Sequence, residues 1–152
     1  MKISPPGSPG AFGAVRKHDR HTGIDLYCEA GTEVRAFETG RFTAVVEFTG
    51  PLTDPPSPWW NPTQAVLVES LDHILCYGEI DPWVATGDNI ELGQVLGTVL
   101  QVLKENKGRP VSMLHFEMYT LGTTSPVWWQ LEGKKPPGLL DPTDFVSGLR
   151  CL

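Results

Sequence analysis

The chain has 152 residues, a formal net charge of −6, 16 glycines and 14 prolines. This length is sufficient for one compact core and no linker divides it, so we predict a single domain spanning residues 1–152, with residues 1–20 as an N-terminal extension. The acidic balance and the lack of a basic face exclude the clustered Lys and Arg side chains that nucleic-acid binding requires.

The first segment predicts where the chain stays after synthesis. Residues 1–7 contain no apolar stretch long enough for a signal peptide, and no run in the chain approaches the roughly 20 residues of a membrane span. We therefore expect a chain that remains in the cytoplasm as synthesised and has no membrane partner. The charged run at residues 16–20 is interpreted as a solvated loop; the alternative is that His18 within it stands at the rim of a site.

The segment after this run carries the first candidate metal ligands. Side chains of an extended segment alternate between two faces, so His21, Gly23 and Asp25 would share one face. Neutral imidazole and carboxylate are natural zinc ligands, and a site with three protein ligands leaves a fourth position open. We expect the glycine between the two ligands to leave room for an ion.

Short apolar runs separated by glycine and proline favour an all-β fold made mostly of antiparallel sheets. The predicted strands cover residues 33–37, 41–48, 65–70, 74–80 and 113–119. Gly40 is predicted to mark the turn between the first two strands, and His73 to lie in a hairpin turn. Residues 96–107 fit both a helical and a strand pattern, and we predict a strand that ends near Asn106.

Two proline-rich stretches, residues 51–62 and 123–137, are predicted loops because proline lacks the N–H that a central ladder needs. Each carries a tryptophan pair, Trp59 with Trp60 and Trp128 with Trp129. We predict that Trp59 and Trp60 bind substrate as a groove wall against a peptide or sugar face. The alternative is that the indoles pin long loops onto the body of the protein.

The strand predicted at residues 113–119 carries the second part of the pattern. Alternation places Met113, His115 and Glu117 on one face and an apolar set on the other, which predicts core packing for the second face. Glu117 is expected to orient a metal-bound histidine rather than to bind the ion, since such imidazoles usually donate their second N–H to a carboxylate or carbonyl.

These motifs resemble the lysostaphin-type zinc endopeptidases, which cleave the peptide cross-links of bacterial peptidoglycan. The matching segments, in order, are residues 21–25, 30–34, 39–40, 84–97, 113–117 and 141–142. The resemblance implies a lysostaphin-type peptidase fold, all-β in a single domain. It also implies that His21, Asp25 and His115 bind zinc.

The chain departs from that family at two positions. The family uses two further histidines near the metal, which assist proton transfer and stabilise the transition state; here Glu79 and Met113 stand in their places. Glu79 is the candidate catalytic base and is expected to share a strand face with Tyr77; its alternative is a solvated residue or a partner for an arginine. Methionine transfers no protons, so a hydroxyl of Tyr77 or Tyr119 is the candidate replacement at the second position.

Three hypotheses follow. The first is a hydrolase, a zinc-dependent metallo-endopeptidase acting on peptidoglycan cross-link peptides. The second is a catalytically impaired, zinc-holding binding module, and the third is a domain whose histidines hold no ion. A role at the cell wall would require release by lysis, delivery by a phage particle or a longer natural precursor. The three cysteines, Cys28, Cys76 and Cys151, allow at most one internal disulfide.

Overall fold

A computed structural model describes residues 1–149, in which short strands alternate with turns. Cys28 and Cys76 are not bonded to each other, and Cys151 lies outside the described residues. Nowhere in residues 1–149 is there a helix long and apolar enough to cross a membrane.

The described residues form twelve strands and one short helix. In chain order they are β1 (Lys2–Ile3), β2 (Asp19–Arg20), β3 (Ile24–Tyr27), β4 (Glu33–Arg35), β5 (Gly40–Thr49), β6 (Thr63–Glu69), β7 (His73–Pro82), β8 (Asn89–Ile90), β9 (Val95–Val99), β10 (Met113–Thr120), β11 (Trp129–Gln130), β12 (Leu139–Leu140) and α1 (Thr143–Ser147).

The main sheet has the strand order β1-β3-β10-β7-β6-β5-β8, with β12 added beside β10 and β9 joining β7 to β4. The pairings in this sheet are antiparallel, as is the small second sheet of β2 and β11. The all-β, mostly antiparallel prediction is therefore confirmed. The hairpin turn predicted around His73 is also present, where the Ser70 N–H donates to the His73 carbonyl.

The five strands predicted from the apolar runs correspond to β4, β5, β6, β7 and β10. The prediction for residues 96–107 was wrong at its end, because the strand stops at Val99. Beyond it, the chain makes only isolated bridges, from Gln101 to Ser112 and from Leu103 to Trp60. Bridges to two different partners do not continue one ladder, so the segment is a loop.

The main sheet separates two apolar clusters, and alternation along β10 assigns its residues to one side or the other. Leu114, Phe116 and Met118 pack into the larger cluster, as predicted. Tyr119 packs into the smaller cluster, beside Cys76 and Trp129. His115 and Glu117 lie on the same face of β10 as Tyr119, so the larger core supports the candidate site from behind.

Residues 1–20, predicted as an extension, are packed into the fold: residues 2–10 contact β3, and β2 pairs with β11. The strand β1 pairs with β3, and both the N–H and the hydroxyl of Ser4 donate to the carbonyl of Asp25. The Asp25 N–H in turn donates to the Gly10 carbonyl. These bonds fix the backbone of Asp25 from the side opposite β10.

Candidate metal centre and its cleft

The three predicted ligands come together where β3 and β10 pair. Asp25 and His115 are direct register partners, and His21 lies just before β3. The His21 Nε2 is 3.0 Å from the His115 Nδ1, and the Asp25 Oδ1 is 3.2 Å from the first atom and 3.1 Å from the second. A tetrahedral zinc ion with bonds of about 2.0–2.1 Å separates its ligands by about 3.3 Å, so this triangle has nearly the required size.

The hydrogen bonds on the far sides of the two imidazoles define their tautomers. The Nδ1 of His21 lies 2.9 Å from the carbonyl of Ala11, which only accepts, so this nitrogen carries the proton. The Nε2 of His115 lies 2.8 Å from the Glu117 carboxylate and is likewise the donor. In the neutral rings the two nitrogens that face Asp25 are therefore bare lone pairs. Three acceptors converge on one point, and a cation satisfies all of them.

The pKa values of the site residues also indicate that this site favours a bound positive charge. Burial opposes a charge on His115, yet its hydrogen bonds to Asp25 and Glu117 outweigh burial and raise its pKa to about 10. Burial would likewise raise the pKa of Asp25, but a protonated His115, with His21 beside it, holds that pKa well below its ordinary value. Burial lowers the pKa of His21, which keeps that ring neutral and able to bind a metal ion.

Glu117 organises the outer side of the site. Its Oε1 accepts from the His115 Nε2 and, at 2.5 Å, from the Thr22 hydroxyl, while its Oε2 accepts from the Tyr119 hydroxyl. The Tyr119 oxygen also accepts the Val127 N–H at 3.1 Å. Burial opposes charge on Glu117, but these donors keep its pKa lowered. A continuous chain of hydrogen bonds thus joins a predicted ligand to the loop around Val127.

Gly23 has a different role from the one predicted. A Cβ atom there would lie 2.4 Å from the Phe116 carbonyl oxygen, 2.7 Å from the His115 Nε2 and 2.9 Å from the Glu117 Cγ. These atoms lie on the outer side of His115, away from the nitrogen that faces Asp25. The glycine therefore makes room for β10 and Glu117 rather than for an ion.

Glu79 lies in the same cleft as His115, but the strand-face prediction for it was wrong. Tyr77 packs into the larger core, where its hydroxyl accepts the Phe37 N–H, whereas Glu79 lines the cleft. The register explains the difference: Gly78 and Glu79 together oppose the single residue Ala65, which is a β-bulge. Glu79 has a φ of 65°, a left-handed conformation that costs a non-glycine residue about 1–3 kcal/mol.

The Glu79 carboxyl is buried and incompletely bonded. Its side chain is 9% exposed, and its Oε2 has no hydrogen-bond partner among residues 1–149. Burial first, and the negative charge of Asp25 second, raise its pKa to about 8. The alternatives of a solvated residue or an arginine partner do not fit these contacts. A carboxyl that titrates near neutral pH is suited to exchange protons.

Neither tyrosine replaces the histidine missing at Met113. The Tyr77 hydroxyl is engaged in the core, and the Tyr119 hydroxyl is held between Glu117 and Val127. The side chain of Met113 is buried, 7% exposed, and does not line the cleft. That prediction was wrong because both phenol oxygens already have partners.

A cleft of about 930 Å³ leads to His21, His115 and Glu79. Trp59 and Trp60 line it together with Trp128 from the second proline-rich loop. Trp59 is 58% exposed and Trp128 is 51% exposed, so both indoles are accessible to a ligand in the cleft.

The remaining aromatic and histidine predictions divide between the cleft and the body. Trp129 packs in the smaller core and donates to the Gly133 carbonyl, so the pinning alternative fits this one indole. His18 stands at the cleft rim, the alternative considered for it, whereas His73 lies in its hairpin away from the cleft.

Arg16 is a cleft residue that the sequence did not single out. Its Nη2 donates to the Pro9 carbonyl at 3.2 Å and lies 3.5 Å from the Asp25 Oδ2. The only sequence signal was the charged run at residues 16–20, which predicts solvent exposure equally well. Its approach to Asp25 depends on how residues 1–20 fold back along β3, a contact that local pattern does not encode.

Comparison with known proteins gives structural matches only. No family model matches the chain, and no curated protein matches it in sequence. Three of the similar solved structures are a catalytic-domain mutant of the prophage-encoded protein EnpA from Enterococcus faecalis, LytU, and the antimicrobial peptidase lysostaphin from Staphylococcus simulans. Their TM-scores are 0.59, 0.61 and 0.62, at 18%, 19% and 18% identity.

The matches cover 93%, 98% and 96% of this chain, respectively, and 88%, 86% and 49% of the other chains. The chain thus spans about half of the lysostaphin molecule. At these identities the likeness is one of fold, and it confirms the fold that the motifs predicted.

Proposed function

From the lysostaphin-type peptidase fold that this chain adopts, we propose that it is a zinc-dependent endopeptidase domain that hydrolyses peptide bonds in peptidoglycan cross-links. The observation that carries the proposal is the convergence of three acceptor atoms, from His21, Asp25 and His115, at the floor of an open cleft. Glu79 in the same cleft supplies a carboxyl with a pKa near neutrality. The substrate class follows from the family resemblance of the motifs.

Each residue has a separate task in this proposal. His21, Asp25 and His115 hold zinc, which when bound polarises a carbonyl and lowers the pKa of water towards about 7. Glu79 accepts a proton from the attacking water and returns it to the leaving amine. Glu117 holds His115 in the tautomer whose Nδ1 faces the ion. Trp59 and Trp60 pack against the peptide in the cleft.

A second function is a zinc-holding binding module without turnover, and Met113 favours it. An oxyanion of the transition state needs a hydrogen-bond donor, and removal of one such donor typically costs about 10²–10³ in rate. Methionine offers none, and the tyrosine hydroxyls beside the site are engaged elsewhere. Under this alternative the cleft still binds peptide.

Metal content and turnover measured on one preparation test the proposal. We expect about one zinc per chain by elemental analysis, cleavage of muropeptides by the loaded protein, and loss of cleavage in chelator with recovery on zinc addition. Zinc-replete protein that binds muropeptides and cleaves none would assign the binding-module function. Protein that takes up no zinc would exclude both functions.

The double variant Met113→His/Glu79→His separates a weakened enzyme from an inactive module. Restored imidazoles would raise turnover above the wild-type value if the natural residues only impair the chemistry. Turnover that appears in the variant alone would mark the natural chain as a binding module. Zinc content of the variant serves as the control for an intact ligand set.

A further inference from the structure

We propose that residues 16–20 form a carboxylate-binding wall of the cleft, so that the substrate is a peptide with a free carboxylate near the scissile bond rather than a neutral one. That a bond near the carboxylate is cleaved rests on the proposed function, but the preference for binding a carboxylate does not. We call these residues the basic wall. It contains Arg16, Lys17, His18 and Arg20 with a single acid, Asp19, and all five line the cleft.

Charge is distributed unevenly across the cleft. The chain carries a net charge of −6, yet the basic wall reverses this sign locally. The rest of the lining has no Lys or Arg. Apart from the two site histidines it is aromatic, apolar or uncharged and polar, or acidic at Glu47, Asp54, Glu79 and Glu117. A cleft with cations on one wall alone selects a ligand whose negative charge lies on that side.

Arg16 supplies the directed contact within the wall. Both of its hydrogen bonds use the same nitrogen, Nη2, so within the described chain its Nε and Nη1 have no protein partner. Its side chain is 32% exposed and lines the cleft next to Asp25. The charged Nε–H and Nη1–H groups can each donate a hydrogen bond to a carboxylate oxygen of a ligand in the cleft.

The other cations differ in their availability. Lys17 and His18 are exposed at the rim and have no ion pair within residues 1–149. The Arg20 Nε donates to the Leu131 carbonyl, and its guanidinium lies 5.9 Å from the ring of Trp129, so Arg20 mainly holds the wall in place. Arg16 and Lys17 are therefore the residues that distinguish a charged ligand from a neutral one.

Matched peptides test this preference without relying on turnover. Six-residue peptides of glycine and alanine carry either one Glu or one Gln, moved along the sequence, with blocked termini. Binding to the full chain as purified is followed by tryptophan fluorescence in the first seconds after mixing, since Trp59 and Trp128 line the cleft. We expect the Glu peptide to bind about 10-fold more tightly than its Gln partner at one or more positions in low salt, with a smaller ratio at high salt.

Two variants locate the preference on the wall. Arg16→Gln and Lys17→Gln should each reduce the Glu-to-Gln ratio several-fold, and the matched control Lys135→Gln, which removes one exposed charge outside the cleft, should leave it unchanged. A ratio near one at every position in the wild type would overturn the inference, as would an unchanged ratio in both wall variants. Charge preference in a chain that cleaves no peptide would defeat the hydrolase function alone, and cleavage without charge preference would defeat this inference alone.

Discussion

The ligand side and the base side of the candidate site are built in opposite ways. On the ligand side, every imidazole nitrogen and both oxygens of Glu117 have a polar atom within 3.2 Å, and the pairing of β3 with β10 fixes Asp25 opposite His115. On the base side, Glu79 sits on a bulge with a positive φ and an unbonded oxygen, and Met113 contributes no polar atom. The difference indicates that cation binding and proton transfer can be lost separately, because they depend on different strands and different bonds.

The largest effect is expected from His115→Ala on the ligand side. Loss of one of three ligands should abolish stoichiometric zinc binding, a greater change than the roughly 10- to 100-fold that an outer hydrogen-bond partner contributes. Zinc per chain after dialysis is the measurement, with His73→Ala as the control since His73 lies outside the cleft. Full zinc content in the His115 variant would remove the basis for the metal centre.

Glu79→Gln should separate the two sides most clearly. The amide keeps the shape of the side chain but accepts no proton at neutral pH, so we expect kcat to fall by about 10²–10⁴ while zinc content stays constant. The value of kcat is measured by steady-state hydrolysis of a muropeptide. Glu47→Gln, also in the cleft, is the matched control. A Glu79→Gln enzyme with wild-type kcat would place proton transfer elsewhere.

Glu117→Gln should weaken the ligand side without changing its composition. The amide has one acceptor oxygen in place of two, so it cannot accept from His115, Thr22 and Tyr119 as the carboxylate does. We expect zinc affinity to fall by about 10- to 100-fold in a chelator competition assay. Glu69→Gln, at the exposed end of β6, should bind zinc as the wild type does. Equal affinities in both variants would mean that Glu117 does not tune the site.

The last prediction concerns stability rather than binding or rate, and is a pH dependence on the base side. Burial raises the pKa of Glu79 from its ordinary value of 4.5 to about 8, so the folded state binds the proton more tightly than the unfolded state does. Stability from this group is then fully present below pH 4.5 and is lost as pH rises towards 8, at no more than about 1.4 kcal/mol per pH unit.

Glu79→Gln cannot ionise and should lack this loss. We would measure the unfolding free energy of wild type and variant by urea titration in chelator. The difference between them should be constant at low pH. As pH rises to about 8, the wild type should lose stability relative to the variant. A difference that does not change with pH would show that Glu79 is not buried as the structure has it.

The sequence predicted the ligand side better than the base side for a physical reason. Alternation along an uninterrupted strand is a local rule, so it correctly separated His115 and Glu117 from the apolar residues Leu114, Phe116 and Met118. The same rule failed at Glu79 because the bulge depends on pairing with β6, and one extra residue reverses the facing of a side chain.

Other features depend on contacts between distant segments. The approach of Arg16 to Asp25 follows from the path of residues 1–20, and the separation of Trp128 from Trp129 follows from the pairing of β11 with β2. Neither contact leaves a periodic signal in the sequence. The resemblance of motifs placed the fold correctly because glycine turns and strand ends keep their spacing along the chain.

The close approach at Gly23 has a consequence for how the protein tolerates change. A library that varies every position should find position 23 as restrictive as the ligand positions, although glycine binds nothing. Variants at position 23 should fail because they do not fold, since any larger residue pushes β3 away from β10. Their abundance would fall together with their activity. Substitutions at a ligand would leave a folded, soluble apoprotein. A screen that scores both abundance and activity would therefore divide residues that shape the site from residues that use it.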